Sequence, residues 1–407
     1  MFQLTSYFQG VSTKTLSAVE TQRHTSNQHE FNGTSAMKRY LGSDRREIKS
    51  RFIYIGSDDD VRLSLDSTVT WYDARKQHPI RSEHRLYFKN NDVMTRAEEG
   101  DVLITALGTD GVMLLIIVSI DCSIINQVLW LFDVSELPGT SFTTVDPARC
   151  ENRPLAIFSY IAEEAGIDLP EPKAEGWLDI LLDRFGPRFP TTHDFSALAL
   201  ETLGSDIDPV EAPDDALMCL MDREEALFRE LETHIVAGYL SEHAASWSED
   251  VDAFVKFSLG VHNRRKSRAG HAFENHLEWI FDKNSLRFKR GARTENRSKP
   301  DFLYPGEEQY ADKSFPAEYL TMLGVKTSCK DRWRQVLNEA HRIPNKHLLT
   351  LQPAISEHQI TEMEQARLTL VLPTALHSSY NDKQRSRLLC LQDFISLVSN
   401  RQSQWMY

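Results

Sequence analysis

Three residues in the C-terminal third of the chain have the side-chain types that metal-assisted phosphodiester hydrolysis needs. Asp301 follows a proline, Lys326 ends an apolar run, and Glu339 lies in the segment that comes next. Carboxylate oxygens are the hard ligands that Mg²⁺ prefers, and a lysine beside a phosphate orients or activates the attacking water. Two strands followed by a helix would bring these three side chains together.

The segments around these residues alternate between strand-like and helix-like patterns, which is typical of an α/β sandwich. Apolar side chains at positions 273, 277, 280 and 281 predict a helix over residues 270–284 with one buried stripe. The segments that follow are, in chain order, strand-like over 301–304 and 320–325, helical over 333–340, strand-like over 347–351, helical over 356–367, strand-like over 368–372 and helical near 383–399.

The candidate residues Asp301, Lys326 and Glu339 differ at one position from the usual acid-and-lysine arrangement of metal-dependent phosphodiesterases. The acid that normally accompanies the lysine stands two residues before it, where this chain has Gly324. Glu339 on the later predicted helix can supply the missing carboxylate, and Glu274 on the earlier one can add another. The alternative for both is a solvated charge on an amphipathic helix. A Pro-Asp pair also arises by chance, and Pro213-Asp214 is a second example.

Cations lie at the start of the predicted helix over residues 333–340, where they oppose the helix dipole. Two interpretations remain open. Lys330 and Arg332 can hydrogen-bond guanine while Asp331 accepts from cytosine, which would read adjacent G·C pairs in the major groove. The same residues, with Arg334, can instead form a basic turn that binds phosphate.

Charge is distributed unevenly along the chain, although the net charge is −13. Residues 151–260 carry a large excess of acids, whereas residues 261–300 and 324–350 carry an excess of bases. The basic segments contain the candidate catalytic residues, so they predict a positively charged face for a polyanion. A cluster of four bases predicts a phosphate clamp rather than a base reader: Arg264, Arg265, Lys266 and Arg268.

Length and composition indicate a folded protein of two or three domains, with 407 residues of which 41% are hydrophobic. No apolar run is long enough to span a membrane, and the N-terminus lacks an export signal, so we expect a cytoplasmic location. Five widely spaced cysteines argue against disulfides and zinc. Five short strand-like segments between residues 51 and 118 predict a small N-terminal β-barrel.

Three stretches resemble the EcoRII restriction endonucleases: residues 262–270, 299–305 and 325–340. The resemblance implies a C-terminal α/β/α sandwich of the PD-(D/E)XK superfamily. Asp301 and Glu339 would bind Mg²⁺, Lys326 would be catalytic, and Glu274 would lie nearby. The residues from Lys330 to Arg332 would read CC/GG half-sites of a short palindrome similar to CCWGG.

Relatives in this family extrude the central base and hold it between an arginine and an aromatic ring. Phe228 matches the aromatic residue. Glu224 occupies the position of the expected arginine, with Arg223 one place away.

The N-terminal region resembles the B3-like effector barrel of the same enzymes, which binds a second DNA copy. Without the resemblance these residues read as an ordinary polar hairpin. His84 replaces a lysine of the family pattern. The implied DNA-contacting residues are Gln28, His29, Arg81, Glu83, His84 and Arg85.

The resemblance implies a type IIE endonuclease that acts on double-stranded DNA as a homodimer and is stimulated by the second copy. The chain would comprise a barrel over residues 1–150, a linker over 151–200 and a catalytic domain over 201–407. Two alternatives remain open: a DNA-binding regulator that kept the fold and lost hydrolysis, and a structure-specific repair nuclease.

Overall fold

A computed structural model describes residues 3–21, 29–57, 62–78, 80–150, 153–167, 169, 176–243, 250–329 and 332–406. The chain forms two compact units. The first is Met1–Arg153 with Ile157–Lys173, and the second is Pro154–Ala156 with Ala174–Tyr407. Among the described residues no helix is long and apolar enough to cross a membrane.

The first unit is built on an eight-stranded mixed sheet with the order β2-β5-β4-β3-β7-β6-β1-β8. Only β3 and β7 are parallel neighbours. The strands are β1 (Phe8–Thr15), β2 (Glu30–Asn32), β3 (Arg46–Ile55), β4 (Arg62–Asp73), β5 (His84–Phe88), β6 (Val102–Gly108), β7 (Met113–Val118) and β8 (Thr143–Val145). The helices are α1 (Ala18–Thr21), α2 (Lys38–Leu41), α3 (Asp92–Arg96), α4 (Ile125–Leu131) and α5 (Leu155–Ala165), of which residues 157–165 belong to this unit.

All five strands predicted between residues 51 and 118 are present, but β1 was not predicted. Its central residues Ser12, Thr13 and Lys14 are at most 4% exposed although they are polar. They are buried because β1 pairs with β6 on one side and β8 on the other. The order of the strands is open, with β2 and β8 at its edges. A closed barrel therefore stays a prediction.

The second unit contains a five-stranded sheet with the order β13-β12-β11-β10-β9. Its strands are β9 (Lys289–Arg290), β10 (Phe302–Tyr304), β11 (Thr321–Lys326), β12 (Lys346–Thr350) and β13 (Leu368–Val371). The helices are α6 (Leu178–Phe185), α7 (Thr192–Leu203), α8 (Pro213–His243), α9 (Val251–Lys283), α10 (Glu307–Ala311), α11 (Trp333–Val336), α12 (Glu357–Gln365), α13 (Asp382–Arg385) and α14 (Leu391–Met406).

Two helices pack on this sheet through aromatic rings. The ring of Phe281 on α9 lies 5.2 Å from that of Phe302 and 5.7 Å from that of Tyr304. Phe394 on α14 lies 5.7 Å from Tyr304. Strands β9 to β11 are antiparallel and β11 to β13 are parallel. The predicted α/β architecture of the C-terminal region is confirmed.

Three predicted helices have different limits. Helix α9 begins at Val251 rather than near residue 270, and the Asp250 side chain caps this earlier start by accepting from the Ala253 backbone nitrogen. The helix predicted over residues 333–340 ends at Val336, and Ala340 has a left-handed φ of 47°. The helix predicted near residues 383–399 is divided into α13 and α14.

The second Pro-Asp pair explains how α14 begins. The Asp214 carboxylate accepts hydrogen bonds from the backbone nitrogens of Leu391 at 2.9 Å and Gln392 at 3.0 Å. It also accepts one from the Thr374 nitrogen at 3.1 Å. These nitrogens include the first of α14, which have no partner within the helix. Asp214 therefore has a structural role.

Candidate active site

The antiparallel pairing of β10 and β11 brings Asp301 next to Lys326. Phe302 lies opposite Leu323, so the residue before β10 meets the end of β11. The Asp301 Oδ2 atom accepts a hydrogen bond from Lys326 Nζ at 2.9 Å and another from the Val325 backbone nitrogen at 2.6 Å. The Asp301 and Lys326 side chains are 17% and 23% exposed. The pair is therefore partly buried and still accessible to a ligand.

A close contact explains why the acid expected at position 324 is absent. A Cβ atom added to Gly324 would lie 2.8 Å from Val336 Cγ2 and 3.1 Å from Val336 Cγ1. These distances are shorter than the roughly 3.5–4.0 Å that separates contacting carbon atoms. Helix α11 thus packs directly on the backbone of β11, and no side chain fits between them.

Glu339 reaches the same place from the turn after α11 rather than from a helix. Its backbone nitrogen donates to the Val336 carbonyl at 3.2 Å. Burial and the charge of Asp301 raise the pKa of Glu339 to about 7, against the opposing effects of Lys326 and Lys346. Its Oε2 atom is buried without a hydrogen-bond partner. The structure therefore brings Asp301, Lys326 and Glu339 into one electrostatic group.

The donors in this group fit a divalent cation. Mg²⁺ is commonly held by one or two carboxylates, with waters and substrate phosphates completing its coordination. Asp301 and Glu339 supply two carboxylates, and the buried Glu339 oxygen lacks a partner that a cation would provide. In the part of the chain that the structure describes, no cluster of three or more His, Cys, Asp or Glu side chains is arranged to hold a metal.

Glu274, the fourth predicted catalytic residue, is held by an arginine. Its Oε2 atom accepts from Arg290 Nη2 at 2.9 Å and from Arg290 Nε at 3.1 Å. Arg290 also donates to Glu278 at 2.7 Å. The sequence pattern did not single out Arg290. Two glutamates one helical turn apart, such as Glu274 and Glu278, can indicate an ion pair with an arginine on a neighbouring strand. Glu274 thus connects α9 to β9.

The predicted recognition segment is described only in part. Lys330 and Asp331 lie outside the described residues. Arg332 is exposed at the start of α11. Arg334 is exposed, its guanidinium lies 4.7 Å from the Trp333 ring, and it pairs with Glu362 at 3.4 Å.

The four bases on α9 divide into two groups. Arg264 and Lys266 are exposed, and the Arg264 guanidinium covers the Phe189 ring at 4.1 Å. Arg265 pairs with Glu232 on α8 at 2.7 Å. Arg268 differs from the predicted phosphate clamp because its side chain is only 8% exposed and pairs with Glu225 on α8. The helix pair thus neutralises Arg265 and Arg268, and Arg264 and Lys266 remain at the surface.

The predicted base-holding aromatic residue is buried. Phe228 is 2% exposed and belongs to a hydrophobic cluster of α6, α7 and α8. The arginine beside it is Arg268 from α9, whose guanidinium lies 4.2 Å from the ring. Glu224 is fully buried, and its Oε2 atom lies 2.8 Å from His276 Nε2. In this conformation the Phe228 ring faces protein atoms rather than an open pocket.

The predicted DNA-contacting residues of the first unit also divide by exposure. Arg81 is exposed and His29 is partly exposed, whereas Gln28 is outside the described residues. His84 is only 4% exposed, because it packs 5.0 Å from the Trp71 ring and contacts the Ser43 carbonyl oxygen at 3.1 Å. Its position in the core argues against direct DNA contact. Glu83 and Arg85 form an ion pair at 2.6 Å.

Comparison with known proteins finds a family match over the segment that carries the candidate site. Residues 228–395, which include Asp301, Lys326 and Glu339, match the family described as EcoRII C terminal. The match covers the segment that carries the candidate site, and it agrees with the resemblance to the EcoRII restriction endonucleases.

The particular relative is the type II restriction enzyme EcoRII of Escherichia coli. It is 49% identical to this chain over 147 residues, which are 36% of this chain and 36% of that protein. The match thus spans about a third of the relative's length.

Two solved structures share a more distant likeness. Metal-depleted Ecl18kI in complex with uncleaved, modified DNA is 19% identical, with a TM-score of 0.47 over 56% of this chain and 84% of that one. The restriction endonuclease PspGI in complex with substrate DNA is 15% identical, with a TM-score of 0.44 over 53% of this chain and 94% of that one. Both TM-scores are below 0.5, so these two structures give no support for a function of this chain.

Proposed function

We propose that the protein is a type II site-specific deoxyribonuclease that hydrolyses phosphodiester bonds of double-stranded DNA with Mg²⁺. The observation that carries the proposal is the 2.9 Å contact between Lys326 Nζ and Asp301 Oδ2, next to a glutamate whose buried oxygen has no partner. These residues lie in the segment that matches the EcoRII C-terminal region.

The residues have distinct tasks in this proposal. Asp301 and Glu339 hold the metal, and the Val325 N–H fixes the orientation of the Asp301 carboxylate. Bound Mg²⁺ stabilises negative charge on the phosphate and lowers the pKa of a coordinated water. The Lys326 Nζ atom interacts with the scissile phosphate and orients the attacking water. The products carry 5′ phosphates.

Sequence recognition is assigned to the residues that precede α11. Lys330, Asp331 and Arg332 read CC/GG half-sites of a palindrome similar to CCWGG, with Arg332 exposed for this role. Arg264 and Lys266 are exposed on α9 and contact the phosphate backbone. Reading one half-site per subunit requires a homodimer with twofold symmetry.

An exposed apolar stripe on α9 supports a second copy as the partner. Val251, Val255 and Leu259 are 64%, 45% and 56% exposed, at spacings that put them on one side of the helix. The stripe lies N-terminal to Arg264 and Lys266, so it is separate from the bases assigned to the phosphate backbone. The stripe thus suits a twofold helix pairing.

The role assigned to the N-terminal unit is regulatory. Residues 1–150 form a B3-like domain that binds an effector DNA copy through a surface that includes Arg81 in the loop before β5, and residues 151–200 link it to the catalytic domain at residues 201–407. The effector copy stimulates cleavage by relieving inhibition of the catalytic cleft. Removal of residues 1–175 is then expected to accelerate cleavage at a single site.

Plasmid digestion tests the proposed activity. The wild-type protein, Asp301→Asn and Lys326→Met are incubated with plasmid and Mg²⁺, and the fragment ends are sequenced. Discrete fragments from the wild type alone, with ends at one sequence, support the proposal. DNA retardation without cleavage would favour a regulator, and cleavage without sequence preference would favour a repair nuclease.

A further inference from the structure

Lys346, at the start of β12, has its amino group directed into the turn that carries Glu339. The residue is 6% exposed. Its Nζ atom donates to the Ile343 carbonyl oxygen at 2.8 Å and to the Ala340 carbonyl oxygen at 3.2 Å. The sequence pattern does not single out this lysine, because a lysine at the start of an apolar strand is ordinarily a solvated charge.

The turn at residues 339–343 depends on contacts from outside it, because α11 ends at Val336 and does not extend into the turn. Val336 is the last residue of α11, and Ala340 has a left-handed φ of 47°. For an alanine this conformation is less favourable than the right-handed one. The Ile343 backbone nitrogen donates to the Ala340 carbonyl at 2.9 Å, which closes the turn. Lys346 therefore binds both ends of a turn that has an unfavourable conformation.

A second anchor acts on the other side of the same turn. The Arg342 guanidinium donates to the carbonyl oxygens of Phe315 at 2.7 Å and Asp312 at 2.9 Å. Arg342 thus fastens the turn to the chain after α10, whereas Lys346 fastens it to the sheet. The Lys346 contacts connect the turn with β12, which pairs in parallel with β11.

A buried ammonium group has an additional electrostatic effect. Removing a lysine from water costs free energy unless the charge has partners. The carbonyl oxygens of Ala340 and Ile343 accept hydrogen bonds from the Lys346 ammonium group, and its positive charge favours the ionised form of Glu339. An apolar residue would fill this space without a desolvation cost but would provide neither the tie nor the charge.

We propose that Lys346 is a positioning residue that holds the Glu339 carboxylate in place for Mg²⁺ through the turn at residues 339–343. This inference rests on the proposed nuclease function, because it presumes that Glu339 is a metal ligand. Lys346 Nζ contacts the backbone of the turn, so its effect on Mg²⁺ binding is expected to appear through Glu339.

The test measures Mg²⁺ binding in two ways with full-length protein. One is the Mg²⁺ midpoint for cleavage of a cognate plasmid. The other is the Mg²⁺ midpoint for the rise in melting temperature without DNA. The variants are Lys346→Met, Lys346→Gln and Glu339→Gln, together with the double variant Lys346→Met/Glu339→Gln. Asp214→Asn is the control, because it weakens the same unit at the cap of α14.

Lys346→Met is expected to raise both Mg²⁺ midpoints by about tenfold, in the range that loss of a group supporting a metal ligand produces. Lys346→Gln keeps one donor for the carbonyl oxygens and should fall between the wild type and Lys346→Met. In the Glu339→Gln background, Lys346→Met should leave the melting-temperature midpoint unchanged. Asp214→Asn should lower the melting temperature without a change in either midpoint.

Three results distinguish the possible failures. Unchanged Mg²⁺ midpoints in Lys346→Met, with normal cleavage by the wild type, would overturn the role of Lys346 alone. A full further effect in the Glu339→Gln background would do the same, since the lysine would then act independently of Glu339. Absence of cleavage by the wild type would overturn the proposed function. If Lys346→Met does not fold, Lys346→Gln is the deciding variant.

Discussion

The contact between Gly324 and Val336 predicts how β11 and α11 depend on each other. Substitution of Gly324 by alanine adds a Cβ atom 2.8 Å from Val336 Cγ2, so α11 must move or Val336 must change rotamer. Val336 is fully buried, so little free space is available. Because Glu339 follows α11 directly, this displacement should also reach the candidate active site.

The structure gives the size of the effect. Small-to-large changes in a packed core cost about 1–3 kcal/mol. Val336→Ala alone removes buried methyl groups and leaves a cavity, which costs about 2 kcal/mol. In the double variant the new methyl group occupies the vacated space. We therefore expect the double variant to lose about 2 kcal/mol rather than about 4, which is a coupling energy of about 2 kcal/mol.

Urea denaturation of the four proteins in this cycle measures the coupling, and the Mg²⁺-dependent cleavage rate measures the effect on the site. Gly238→Ala is the matched control, because a Cβ atom at this exposed helical glycine would have nothing within 4 Å. It should be neutral or stabilise by about 0.5–1 kcal/mol. Additive losses in the cycle, or a Gly324→Ala protein as stable as the wild type, would refute the packing argument.

The remaining predictions concern catalysis, pH dependence and assembly. Asp301→Asn should reduce cleavage by at least about a thousandfold while electrophoretic retardation still detects DNA binding, since a neutral amide is a poor ligand for Mg²⁺. Without metal, the Glu339 pKa of about 7 exceeds its ordinary value, so the folded state binds the proton more tightly than the unfolded state between about pH 4.5 and 7. The free energy of unfolding, measured by urea denaturation in the presence of a chelator, should therefore decrease by an amount on the order of 2 kcal/mol as the pH rises through this window. The Glu339→Gln variant should lack this decrease. An unchanged pH dependence in that variant would contradict the assignment of the raised pKa to Glu339. Leu259→Asp should convert a dimer into a monomer by light scattering and slow double-strand cleavage, whereas an intact dimer would exclude the α9 stripe as the interface.

The sequence predicts the elements whose stability is local. The helix containing Phe273 and Phe281 and all five strands of the N-terminal β segment follow from apolar periodicity. The end of α11 does not follow from apolar periodicity, because the periodicity continues to Ala340. The turn is determined instead by the tertiary contact between Val336 and Gly324 and by the hydrogen bond from Lys346 to the Ala340 carbonyl oxygen.

The site follows the same division. Residue types and spacing indicated the proximity of Asp301 and Lys326, because strand pairing dictates it. Burial was less predictable, since Arg268 and His84 read as surface groups in the sequence. Arg268 is instead neutralised by an acid on the neighbouring helix, and His84 packs on Trp71. Such partners lie far away in the chain, so no local pattern reveals them.

Anomalous diffraction from crystals soaked in Mn²⁺ tests the central claim most directly. We predict one peak about 2.1–2.2 Å from carboxylate oxygens of both Asp301 and Glu339, with Lys326 Nζ outside its coordination shell. A peak bound by Glu274 instead, or one that contacts Asp301 without Glu339, would contradict the assignment of this pair as the metal ligands.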